Sequence, residues 1–81
     1  MIMMNNEDDM KEVVLSLLKK EEELFSKNDI LAHIIKIRHF PVTVAYMMFS
    51  DMAELGLEVC VENSAKDSRY NLRKFAEIKG W

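Results

Sequence analysis

PVTVAYMMFSDMAELG, residues 41–56, runs without a break into LEVCVE, residues 57–62. The first segment carries the punctuation of a helix, the second the alternation of a strand. Proline is favoured in the first turn of a helix because its missing N–H would be unpaired there, so Pro41 predicts the start. Gly56 suits the left-handed residue that closes a helix and predicts the stop. At about 100° per residue, Val44, Ala45, Met48, Phe49, Met52 and Leu55 gather on one side, with Val42, Tyr46 and Ala53 at its margin. Thr43, Met47, Ser50, Asp51 and Glu54 gather opposite. Met47 is the apolar exception there, and isolated surface methionines are ordinary.

Past Gly56 the period changes. Leu57, Val59 and Val61 alternate with Glu58, Cys60 and Glu62, which predicts a strand over 57–62. NSAKDS (63–68) is a polar loop rich in turn-forming types, and RYNLRK (69–74) returns as a second strand with Tyr70 and Leu72 inward. Placing Glu62 opposite Arg69 fixes an antiparallel register for the rest. Val61 then faces Tyr70, Cys60 faces Asn71, Val59 faces Leu72 and Glu58 faces Arg73. Apolar meets apolar and acid meets base, the pattern that stabilises cross-strand pairs. The tail 75–81, FAEIKGW, offers Phe75, Ile78 and Trp81 for packing on the first helix or on a second subunit.

Upstream, residues 1–6 read as a frayed terminus. A helix begins at Glu7, where Glu7, Asp8 and Asp9 suit the positive end of the macrodipole. Met10, Val13, Val14, Leu17 and Leu18 form its stripe, which ends near Lys20; KKEEE (19–23) is solvated surface. Leu24–Phe25 is a short apolar link, suited to a two- or three-residue edge strand. Ser26 followed by Asp29 has capping-box spacing. The second helix then runs to about Arg38, with Ile30, Leu31, Ile34, Ile35 and Ile37 inward and Ala32, His33 and Lys36 outward. Arg38–His39–Phe40 forms the turn into Pro41, since the residue before a proline resists the α region.

The 81 residues make one small domain, with 49% hydrophobic and 31% charged residues, the mix of a folded chain. Eleven Lys and Arg against 14 Asp and Glu give a net charge of −3. Dedicated nucleic-acid binders are usually basic, so this charge weighs against that class without excluding it. A single cysteine makes no internal disulfide, and a reducing, cytoplasmic setting is the simplest expectation. The apolar opening MIMM is interrupted at once by Asn5–Asp9, and no run is long enough to span a bilayer.

The order helix, short strand, helix, helix, hairpin resembles the winged helix-turn-helix family over roughly Glu7 to Phe75, with 76–81 left as a C-terminal tail. The carriers are the helix pair split by RHFP, the ending MAELGL, and VCVENSAKDSRYNL with its aromatic-x-Leu second strand. The resemblance implies an α+β fold of three helices followed by a two-stranded antiparallel hairpin wing, and a DNA-binding role in transcription regulation. It places the third helix in the major groove and the wing on phosphate or minor groove. Carried over, the reading positions are Thr43, Tyr46, Met47 and Ser50, and the phosphate contacts are Arg38 and His39 in the turn and Lys66 on the wing. Arg69 joins them if a phosphate recaptures it from Glu62, since exposed ion pairs are worth only ~0–1 kcal/mol. The chain departs from the family in one respect: Pro41–Gly56 has no Arg, Lys, Asn or Gln to read base edges, and carries Asp51 and Glu54 instead.

Nothing in the chain suggests catalysis. His33, His39 and Cys60 match no zinc spacing, Glu21–Glu23 fan around a helix end instead of facing one another, and there is no glycine-rich phosphate loop. No cofactor, metal or catalytic residue is expected. Two function classes stay open. One is a small DNA-binding regulator, with dimerisation through Phe75, Ile78 and Trp81 as a way to double its contacts. The other is an acidic protein-interaction module, using either the Tyr46–Met47–Ser50 face or the same tail on a regulator or a nucleic-acid enzyme.

Overall fold

Ser26 ends one element and starts the next. Its hydroxyl accepts the Asp29 N–H at 3.1 Å, and the Asp29 carboxylate accepts the Ser26 N–H at 3.1 Å. This completes the predicted capping box at the head of α2 (Lys27–Lys36), directly after the short strand β1 (Leu24–Ser26). The computed structural model describes residues 6–63 and 68–81. Around that junction lie α1 (Asn6–Leu18), α3 (Val42–Glu54), a 3-10 helix (Leu57–Cys60), β2 (Val61–Asn63), β3 (Ser68–Asn71) and α4 (Leu72–Lys79).

Pro41 caps α3 rather than opening its first turn, and Gly56 closes it with a φ of 133° that L residues rarely adopt. The α2–α3 turn is longer than expected, spanning residues 37–41. His39 takes a φ of 64°, and the Phe40 N–H donates to the Ile34 carbonyl. Because α2 stops at Lys36, Ile37 lies beyond the inward stripe and is 57% exposed. Leu55 follows the end of α3 in the same way and is also exposed.

The α+β class stands, but its detail is corrected. Among the described residues there are four α-helices and one three-stranded antiparallel sheet, ordered β1-β3-β2, in place of three helices and a two-stranded hairpin. The predicted register holds where the hairpin exists: Val61 pairs with Tyr70 and Glu62 with Arg69. The other edge of β3 is taken by β1, with Phe25 also opposite Tyr70. The remaining expected pairs, Cys60–Asn71, Val59–Leu72 and Glu58–Arg73, do not form: residues 57–60 coil into the 3-10 helix, Leu72 and Arg73 open α4, and Asn71, the last residue of β3, pairs with Leu24 of β1. In a 3-10 helix residues i and i+3 share a side, so Leu57 and Cys60 are buried and Val59 is 69% exposed. Across the sheet, the Asn71 side chain accepts the Lys74 N–H at 2.9 Å, an N-cap that turns 72–79 into helix. Its amide also donates to Glu62 at 3.3 Å. The arginines find other acids: Arg69 lies 3.9 Å from Asp29, and Arg73 lies 3.7 Å from Glu23.

One core joins these elements. Val13, Val14 and Leu17 of α1, Phe25 of β1, Ile30 and Ile34 of α2, Met52 of α3, Leu57, and Leu72 and Phe75 of α4 are all essentially inaccessible. Residues 72–79 form α4, whose Leu72, Phe75 and Ala76 enter that core. Phe75 is fully buried, and the Trp81 ring meets it edge-on at 5.4 Å while its main-chain N–H donates to the Ala76 carbonyl. Ile78 is the exposed member of the predicted interaction set. Cys60, expected on the outer face of a strand, is buried, and burial pushes its thiol pKa up. His33, expected outward, is also buried.

Candidate nucleic-acid interface

The outer arc of α3 follows from what its inner arc must do. Ala45, Met48, Phe49 and Met52 face the core, which turns Val42, Thr43, Tyr46, Met47 and Ser50 outward, all exposed. Three of these are large apolar side chains: Val42 is 56% exposed, Tyr46 51% and Met47 60%.

Lys27 ties this arc to the rest of the surface. It is the first residue of α2, and its ammonium lies 5.7 Å from the Tyr46 ring centre and 5.3 Å from that of Phe49, within cation–π range. The Phe49 ring in turn meets Tyr70 of β3 edge-on, centroids 5.5 Å apart. The start of α2, the middle of α3 and the hairpin strand thus meet in one stack. Beside it runs a shallow groove of about 380 Å³ lined by Ser26, Lys27, Asn28, Ser68 and Tyr70. Its polar groups are hydroxyls, an amide and an ammonium, donor types that suit phosphate oxygens.

The other expected phosphate contacts are placed differently. Arg38 is hydrogen-bonded to the Glu12 carboxylate and lines a groove against α1 with Leu15, Ser16 and Lys19, apart from the α3 stack. His39 is exposed in the α2–α3 turn. Arg69 is half-exposed beside Asp29. Lys66 lies outside the described residues. The structure therefore gathers Thr43, Tyr46, Met47 and Ser50 on one surface and leaves Arg38 elsewhere. Lys27, Asn28 and Ser68 were not singled out from sequence. For Lys27 and Asn28 the signal was present in the capping box, which fixes them at the first turn of the helix before α3; nothing in the sequence marked Ser68.

A second polar feature lies between α1 and α2. His33 Nε2 is 3.1 Å from Ser16 Oγ, while Nδ1 is buried without a hydrogen-bond partner among the described residues. Burial, then Lys20 and Arg38, hold the His33 pKa below its ordinary value. A bare ring nitrogen costs less than a buried unpaired N–H, so the neutral tautomer with Nε2–H donating to Ser16 fits the site. Among the described residues no three His, Cys, Asp or Glu side chains converge as for a metal ion. Nor, among them, is any helix long and apolar enough to cross a membrane.

Comparison with protein-family models, curated proteins and solved structures gives no match for this chain. The interface is therefore read from its own chemistry.

Proposed function

We propose that the chain is a small winged-helix regulator that binds double-stranded DNA, with α3 toward the major groove and the β2–β3 hairpin as the wing. The observation that carries this reading is the Lys27–Tyr46–Phe49–Tyr70 stack. It brings a helix start, an exposed helix face and a hairpin strand together around the buried Phe49 ring, with a cation where a phosphate would lie. Phosphate contacts hold orientation while a helix in the groove reads sequence. With a net charge of −3 and few cations on this side, binding is weak and steeply salt-dependent.

Fluorescence anisotropy with short duplexes at low and moderate salt tests it. Lys27→Ala should weaken every duplex alike and flatten the slope of log affinity against log salt by about one. Absence of a complex with any duplex at low salt would sink the proposal. A protein-contact module is the second reading. It is favoured by the exposure of Val42 and Met47, the lack of any cation on α3, and the exposed acid Glu54 near its end.

A further inference from the structure

The exposed arc of α3 has a narrow chemical inventory. Thr43, Tyr46 and Ser50 offer hydroxyls, while Val42 and Met47 offer carbon and a thioether. No side chain there can make the two-pronged hydrogen bonds by which Arg or Lys selects guanine, or Asn or Gln selects adenine. One base feature in the major groove is read by apolar contact instead: the C5-methyl of thymine. Hydroxyls alone discriminate poorly, because they donate and accept with equal ease.

We propose that α3 selects thymine by packing Val42 and Met47 against C5-methyl groups, an inference that rests on the DNA reading above. Their placement says more. Five residues at about 100° each put the two side chains roughly 140° apart around the axis, at opposite margins of the exposed arc. A helix lying in the groove then presents Val42 to one strand and Met47 to the other. The site it selects is an A·T-rich step with thymines on both strands, not a run of thymines on one. Glu54 does not interfere, because it sits about 10 Å further along the helix than Met47, and helices of this type meet bases with their N-terminal half. At that end lies Tyr46, beside the Lys27 ammonium, and the charge there complements the phosphates flanking the contacted bases.

The test starts from a random duplex pool selected for binding to the full chain. The selected sequence is resynthesised with deoxyuridine replacing thymine in one strand, in the other, and in both. Each contacted methyl lost should weaken binding roughly fourfold, the worth of one buried methyl-sized group. Met47→Ala should abolish the sensitivity to one strand and Val42→Ala the sensitivity to the other. Both positions are more than half exposed, at 60% and 56%, so the variants keep the fold. Equal affinity for thymine and deoxyuridine duplexes overturns this inference while leaving DNA binding intact. A pool that yields no retained duplex overturns both.

Discussion

Met47 and Met52 lie on the same helix, and the first is 60% exposed while the second is fully buried. The inner side of α3 is apolar and enters the core, whereas the outer side mixes Val42, Tyr46 and Met47 with Thr43, Ser50 and Glu54 and stays exposed. Residue type does not separate the two methionines. Angular position does, together with the aromatic stack that fixes how α3 lies on α2 and β3.

Exchanging the two methionines for alanine is the most direct way to break that contrast. Met52→Ala should cost about 2–5 kcal/mol, the usual range for emptying a core site, read as a fall in the urea midpoint. Met47→Ala should change stability by no more than about 0.5 kcal/mol and show its effect in duplex binding alone. Equal losses of stability for both would mean the outer face is not free, and the interface drawn on it would go.

The next effect separates the α1–α2 junction from the rest of the surface. His33 has its pKa lowered from the ordinary 6.5, by burial first and then by Lys20 and Arg38. Above that ordinary value the ring is neutral whether the chain is folded or not, and it contributes no pH dependence. As pH falls through it, the unfolded chain takes the proton first. Stability then drops by about 1.4 kcal/mol for each unit of the lowering, until the folded-state pKa is passed. Lys36, Glu22 and Asp29 line the same groove and remain unchanged in the comparison. Urea midpoints near neutrality and in mild acid should converge for His33→Gln and diverge for the parent. An equal acid sensitivity in the two proteins would place its origin in other groups.

How far each region could be read in advance depended on how local its determinants are. The α1 stripe, the capping box and the phase of α3 are set within a few residues, and they appear where expected. Leu57–Cys60 offers too few positions to separate alternation from a three-residue repeat, because Leu57 is inward under both. Only the burial of Cys60 in place of Val59 decides it. Asn71 hides in the same way. Strand alternation and an N-cap are both compatible with Asn-Leu, and the choice falls to Phe75 and Ala76, which complete a helical stripe with Leu72. In the candidate interface, the exposed positions of α3 follow from helix phase alone. The approach of Lys27 to Tyr46 depends on how α2 crosses α3, and no spacing in the chain encodes that directly.

Asn71 offers a smaller effect on the same divide between local and distant determinants. Asn71→Ala removes the cap on α4 and the bond to Glu62, and should cost about 1 kcal/mol, within the usual 0.5–2 for a lost cap. Asn71→Ser should retain most of the stability, since serine caps as well and only the bond to Glu62 is lost. A loss as large for Ser as for Ala would show that the bond to β2, not the cap, carries the contribution of Asn71.

The smallest expected effect belongs to Arg38, and it sharpens the contrast between the two sides of the molecule. Its guanidinium is paired with Glu12 on α1, and the two side chains are 34% and 60% exposed. A pair so open to water is worth about 0–1 kcal/mol. Arg38→Ala should therefore leave the urea midpoint nearly unchanged. It should also leave duplex affinity and its salt slope unchanged, because the side chain is engaged against α1 and not beside the Lys27–Tyr46 surface. Lys27→Ala, with the same loss of one positive charge, should lower both. If Arg38→Ala lowered the affinity as much as Lys27→Ala, long-range charge alone would account for binding, and the local surface drawn around Tyr46 would lose its support.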